Sequence, residues 1–333
     1  MKAIFQFLIL LFSSSVFAQF TVSGYVYDNS TKEPLLGVSI FYDGSTIGTI
    51  TDDKGYFKLT TSGRMAGNLI INFLGYETVI LSETKNGDLG TIFLNEKPLE
   101  LKEVVLLPDT WSRRKKLRIF RKEFLGSTNA SYKCKILNEE DIRFYYNATE
   151  NRLYAYAKKP ILIDNKYLGY RVTYNLIDFE ADFFNQVDDE PPVTKATYMA
   201  GTLFFKDLNT TKPKKKYIKN RESSYYGSGI HFMRSLARQN LDTEGFSIFK
   251  KRFQVNPKEV FSAVEIDGLT QIIQRAERLS ITFKNEQSFI LVTENPYYID
   301  DYGNHLPSRN ISFGGKIGTL RAANLLPLDY KID

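Results

Sequence analysis

The sequence predicts a mostly β protein with some α: an N-terminal seven-stranded sandwich followed by a β-rich α+β domain. Three observations carry this. Between residues 20 and 94, apolar side chains recur at every second position in seven short runs separated by Gly, Pro, Asn or Asp. That is the pattern of half-buried strands joined by turns. Tyr and Phe are abundant, at 21 and 25 residues, and both suit strands better than helices. Two later stretches switch to the 3.6-residue period of amphipathic helices.

Residues 1–18 read as a signal peptide. Met1-Lys2 gives a positive start, residues 4–12 are almost purely apolar, and Val16-Phe17-Ala18 makes a small-x-small cleavage site. At roughly 1.5 Å per residue the apolar run covers about half of a ~30 Å bilayer core, too short for a span. No later stretch approaches about 18 consecutive apolar residues, so no transmembrane helix is expected downstream. No cysteine follows the cleavage site to carry a lipid anchor. The mature chain is expected to start near Gln19, exported to the periplasm or the outer membrane.

The single Cys134 rules out an internal disulfide, which in an exported chain of this length suits a Gram-negative envelope. Cys134 itself is expected as a small core residue on a strand. The net charge of +6 includes the runs Arg113-Arg114-Lys115-Lys116 and residues 212–219. In an exported protein these are expected to be solvated faces, with no nucleic-acid partner.

Within the sandwich, expected over residues 19–97, the runs fall at 21–27, 38–42, 47–51, 56–60, 68–73, 77–81 and 89–94. Asp52-Asp53-Lys54-Gly55 raises the question of a calcium loop. Placing Gly55 at position six of an EF-hand puts Ile50, Asp52 and Lys54 at ligand positions and Thr61 at the end, and only Asp52 fits. Asp at a turn entry and Gly near its exit explain the cluster better. It is expected to be a corner and not a site.

The same stretch resembles the carboxypeptidase-regulatory-like module. Gly24 and Val26, Pro34-Leu35-Leu36-Gly37-Val38, Gly48-Thr49, Thr51-Asp52, Gly55 with Phe57, and Phe73-Leu74-Gly75-Tyr76 recur in the order of that pattern. The resemblance implies a transthyretin-like sandwich without a catalytic zinc site. It is also similar to the extension before the plug of TonB-dependent receptors in the Bacteroidota outer membrane, where a stretch like Leu101-Lys102-Glu103-Val104-Val105 follows.

Residues 98–110 read as a linker and 111–333 as the second domain, with two helices. In the first, over 111–124, Leu117, Phe120 and Phe124 form one stripe, and Asp109 or Thr110 is the expected cap. Its basic residues surround a stripe expected to dock on the neighbouring sheet, with an anionic lipid surface as the alternative. Strands are expected over 142–146, 153–157, 170–176, 198–204, 279–283, 289–293, 311–313 and 319–330. The second helix is expected to run unbroken over 214–239, with Ile218, Tyr225, Phe232 and Leu236 in one sector and Arg221 at its edge. Segments such as "IKNRESSYYGSGIHFMRSL" resemble those following this sandwich in uncharacterised exported Bacteroidota proteins, which implies no transferable activity.

The chemistry for an enzyme is thin. With only His231 and His305 there is no H-E-x-x-H, no Cys pair and no G-x-S-x-G. Ser228 lies three residues before His231, yet no motif supplies an oxyanion hole. Catalytic residues, metal ligands and cofactors are therefore all expected to be none. The expected function is a non-catalytic interaction or structural protein that docks on an outer-membrane β-barrel or envelope assembly. A carbohydrate-binding sandwich, stacking sugars on Tyr225, Tyr226, Tyr297 or Tyr298, is the alternative, ahead of a hydrolase. The roughly 230 residues after the sandwich cannot themselves supply a receptor barrel of about 22 strands. On the second helix Asn220, Ser224, Gly227, His231 and Arg234 align on one side. That alignment admits either a close-packed segment of the same domain or a partner groove, in which Arg234 and His231 read an acidic or polar group.

Overall fold

The computed structural model describes residues 19–65, 67–82, 84–97, 110–184, 192–209, 212–307 and 310–332. The signal peptide expected over 1–18, and all of the expected linker except Thr110, lie outside the described residues.

Seven strands follow one another in the N-terminal part: β1 (Phe20–Asp28), β2 (Ser39–Tyr42), β3 (Gly48–Ile50), β4 (Tyr56–Thr61), β5 (Leu69–Asn72), β6 (Val79–Leu81) and β7 (Gly87–Leu94). They form two sheets, β4-β1-β7 and β3-β2-β5-β6. Alternation along β1 sends Val22 and Val26 inward, where they meet Val38, Ile40, Phe57 and Leu69. The acidic cluster is a turn: the Asp52 carboxylate accepts the N–H groups of Lys54 at 2.9 Å and Tyr56 at 2.8 Å. Gly55 closes it at φ +74°, and a Cβ there would lie 2.5 Å from the Val26 carbonyl, so only glycine fits.

The second core lies between α1 (Arg113–Leu125) and a six-stranded sheet made of β8 (Cys134–Ile136), β9 (Ile142–Asn147), β10 (Arg152–Ala157), β11 (Ile161–Asn165), β12 (Tyr170–Phe183) and β13 (Thr194–Asp207). Two residues of the expected stripe dock on this sheet, Phe120 against Phe144 and Phe179 and Phe124 against Tyr174, while Ile119 joins the core in place of Leu117. Its cap is Ser112, whose hydroxyl accepts the Lys115 N–H at 3.3 Å. Ser112 thus takes the place expected for Asp109 or Thr110. Cys134 packs half-buried against this core, and burial pushes its thiol up to about 12.

A third core joins the sheets β15-β14-β18-β19-β22 and β16-β17-β20-β21. Their strands are β14 (Phe246–Lys250), β15 (Phe253–Val255), β16 (Phe261–Ile266), β17 (Leu269–Gln274), β18 (Arg278–Phe283), β19 (Glu286–Val292), β20 (Tyr297–Ile299), β21 (His305–Leu306) and β22 (Ile311–Gly314).

Two expectations need correction. The helix expected over 214–239 is broken into α2 (Lys215–Tyr225) and α3 (Gly229–Ala237). Gly227 turns the chain at φ +79°, and the Ser228 hydroxyl caps α3 by accepting the His231 N–H at 3.2 Å. Ile218, expected in the core, is 37% exposed. The strand expected over 319–330 is instead a tail that crosses the cores. Ala322, Ala323 and Leu326 enter the second core, and Leu328 packs on the sandwich. Its apolar content serves two separate cores, which period-two counting cannot distinguish from a strand.

The sandwich is stitched to the rest at residues 41–48 and 61–65. The Gly44 N–H donates to the Leu203 carbonyl at 2.7 Å, the Phe205 N–H to Ser45 at 2.9 Å and the Leu328 N–H to Gly44 at 2.8 Å. Tyr302 lies in the sandwich core and shares a 3.0 Å hydrogen bond with Ser62.

Candidate functional site

The five residues aligned on the expected helix do not share a face once the chain breaks at Gly227. The Asn220 amide donates to the Tyr167 carbonyl at 2.8 Å. His231 is 1% exposed; its Nδ1 accepts the Gly227 N–H at 3.0 Å and its Nε2 meets Glu244 at 3.1 Å. The buried Arg234 guanidinium donates to the carbonyls of Tyr302 at 3.0 Å, Tyr330 at 2.8 Å and Leu328 at 2.7 Å. It clamps the tail. Only Ser224 and Gly227 come together on a cleft of about 250 Å³, beside Phe283 and Lys316.

The Ser228–His231 pair is not arranged for nucleophilic catalysis. Ser228 serves the His231 backbone, and both ring nitrogens are engaged elsewhere. Burial of the ring holds His231 below the ordinary imidazole range, against the pull of Glu244. Burial likewise presses His305 down to about 4. Among the described residues no three His, Cys, Asp or Glu side chains are grouped to hold a metal ion. Of the tyrosines considered for sugar stacking, Tyr225 and Tyr297 are buried while Tyr226 is 38% exposed. Tyr298 is half-buried and its hydroxyl accepts from Gln271 at 3.1 Å.

A surface that the sequence reading did not single out lies on the sandwich. Tyr25 stands opposite Tyr56 on β4, and Tyr27 opposite Phe93 on β7. The four rings share the outward face of the β4-β1-β7 sheet, with centroids 5.2 Å apart for Tyr25–Tyr56 and 6.3 Å for Tyr27–Phe93. Tyr25 is 39% and Phe93 43% exposed, and the Lys32 ammonium sits 4.5 Å from the Phe93 ring. Among the described residues the contacts to the rest of the chain run through the other sheet and the end of β4, so this face looks away from them. The signal was available: Tyr25 and Tyr27 occupy the positions that alternation along β1 assigns to solvent, and neighbouring apolar rings on a solvent face mark a contiguous surface patch.

Residues 22–106 match the family model of the CarboxypepD_reg-like domain. The sandwich is of this domain type. Over 84 residues the chain is 38% identical to the TonB-dependent receptor SusC of Bacteroides thetaiotaomicron, a match that takes in 23% of this chain and 8% of the receptor. The chain therefore spans only a small part of the curated relative it matches. Among solved structures, a type II cohesin–X-dockerin complex of Acetivibrio cellulolyticus is 26% identical over 22% of this chain and 52% of its own, at a TM-score of 0.19. A DUF3823 family protein of Parabacteroides merdae is 10% identical over 55% of this chain and 80% of its own, at a TM-score of 0.18. Both scores describe local likeness only. Among the described residues no helix is long and apolar enough to cross a membrane.

Proposed function

We propose that this chain is a non-catalytic, exported interaction protein of the Bacteroidota envelope, in the periplasm or at the outer membrane. It docks a TonB-dependent receptor, or another barrel assembly, through the outward face of its sandwich. The observation that supports this most is the aromatic face of Tyr25, Tyr27, Tyr56 and Phe93. It lies in the part of the chain similar to a receptor's N-terminal region, and the other described residues leave it partly exposed. Large rings with partly exposed faces anchor protein interfaces at small conformational cost.

The test is purification of the tagged, full mature chain from crosslinked native envelopes. A TonB-dependent receptor should be recovered in near-stoichiometric amount with the native sequence. It should fall at least tenfold with Tyr25→Ser/Phe93→Ser at an unchanged melting temperature. Equal recovery with that variant, or no receptor with either protein, overturns the reading.

A further inference from the structure

A concavity of about 830 Å³ opens where the sandwich meets the six-stranded sheet. Its volume falls in the range of about 300–1,000 Å³ typical of small-ligand clefts. Cross-strand pairing fixes its two walls. Ser39 pairs with Ile50 on one side and Asn72 on the other, so this row stands on the outer face of the β3-β2-β5-β6 sheet. Thr173 and Asn175 pair with Phe204 and Thr202 across β12 and β13. The walls converge where Phe41 meets Phe204, ring centroids 5.1 Å apart. Arg221 and the tail residues Asp329 and Lys331 form the third side.

The charges in the cleft are unequal in what the protein already does with them. Asp207 accepts the Arg221 guanidinium at 2.8 Å and the Asn209 N–H at 3.0 Å. Arg221 also donates to the Leu168 carbonyl at 2.7 Å and stacks 3.8 Å from the Tyr170 ring. Asp329 accepts both the N–H and the hydroxyl of Thr46. Each anion is thus satisfied by the fold. Lys206 and Lys331 are exposed and, among the described residues, in no ion pair. The uncharged polar lining is hydroxyl and amide, set beside an apolar part that includes Ile50, Phe41, Phe204 and Pro327. Asn175 donates to Thr202 at 3.0 Å and Asn72 to Thr78 at 2.8 Å, which fixes both amides and leaves their carbonyl oxygens as acceptors.

We propose that this cleft binds an acidic oligosaccharide, a short sugar chain carrying carboxylates. Two uncompensated ammonium groups select negative charge. Paired hydroxyl and amide groups on facing walls suit a ligand rich in hydroxyls, and the Phe204 ring offers an apolar surface for the C–H face of a pyranose. A neutral sugar leaves both lysines unused, and a hydrophobic ligand leaves the two amide carbonyl oxygens without donors. The cleft and the aromatic face are separate surfaces, so either assignment can fail without the other.

Titration calorimetry of the full mature chain tests it with tetramers of galacturonate, guluronate, mannuronate and a glucuronate-containing glycan, and with methyl-esterified tetragalacturonate as the uncharged match. Saturable one-to-one binding of at least one acidic tetramer is expected. Affinity should drop tenfold or more in Lys206→Ser/Lys331→Ser, and for galacturonate also on esterification, with melting unchanged. Lys251→Ser, an exposed lysine outside the cleft, should leave affinity within twofold. The proposal is overturned if no acidic tetramer saturates, if the double variant binds as tightly, if the ester equals a bound galacturonate, or if Lys251→Ser weakens binding as much as the cleft variant.

Discussion

Helix α1 packs Phe120 and Phe124 onto the six-stranded sheet through thirteen unbroken residues. The stretch after Pro213, with an equally regular apolar spacing, turns at Gly227 into α2 and α3. In α1 the stripe is one surface against one sheet. In the pair, Tyr225 belongs to the second core, while Phe232 and Leu236 belong to the third. A helical wheel drawn through Gly227 therefore merges residues that face different interiors. The lesson is that apolar spacing reports burial, and continuity must be read from the small residues within it.

The largest effect should come from forcing the pair to resemble α1. Gly227 has φ +79°, and a Cβ there would lie 2.7 Å from Phe283 Cδ1. Gly227→Leu therefore combines backbone strain with overpacking, about 2–4 kcal/mol. Urea unfolding should show this as a lowered midpoint. An unchanged midpoint would mean the break tolerates side chains and that the contrast with α1 is superficial.

A second difference is titratable. α3 buries His231, whose ring sits below the ordinary imidazole range because of burial; α1 contains no histidine. The sign follows from linkage. An unfolded imidazole takes its proton near pH 6.5, before the folded one does, so stability is intact above that pH and falls as the pH drops below it. His305, pressed to about 4 by burial, adds loss of the same sign between about 6.5 and 4. Asp43, raised to about 6 by burial, acts oppositely, since its contribution weakens as pH rises from about 4 to 6. Comparing the native chain with His231→Asn removes these shared slopes. The stability lost between pH 7.5 and 5 should be smaller in the variant, measured by urea unfolding at each pH; an equal loss would remove His231 from the account.

Much of this was legible. All seven sandwich strands lie where alternation and turn residues put them, because each signal is local and complete within about ten residues. The α1 stripe was legible for the same reason. Gly227-Ser228 carried the signature of a helix stop followed by a new N-cap, but it lay inside a pattern that continued on both sides. The Arg234 clamp was not legible. Its acceptors Leu328 and Tyr330 lie 94 and 96 residues away and are backbone carbonyls, which no side-chain pattern announces. The tail carries strand-like alternation while its partners lie far away in sequence, and the cleft it helps to build is not encoded in local signals. The aromatic face differs. Its residues are strand formers, and the alternation along β1 alone places Tyr25 and Tyr27 on the solvent side.

The smallest expected effects concern the two serine caps, and they sharpen the comparison most directly. Ser112 and Ser228 make the same bond, accepting an N–H from three residues on at 3.3 and 3.2 Å. Ser112 is exposed, so water takes over its donor when the hydroxyl is removed. The first turn of α1 is also basic, with Arg113, Arg114, Lys115 and Lys116 near the positive end of the helix dipole. That end is held by other means: Arg113 donates to the carbonyls of Ile142 at 2.9 Å and Glu139 at 2.8 Å. Ser228 is only 8% exposed, and loss of its hydroxyl leaves the buried His231 N–H without its acceptor. Ser228→Ala should therefore cost about 1–2 kcal/mol and Ser112→Ala about 0.5 kcal/mol. Equal shifts in urea midpoint would mean that burial does not separate the two caps, and that α1 depends on its terminus as much as α3 does.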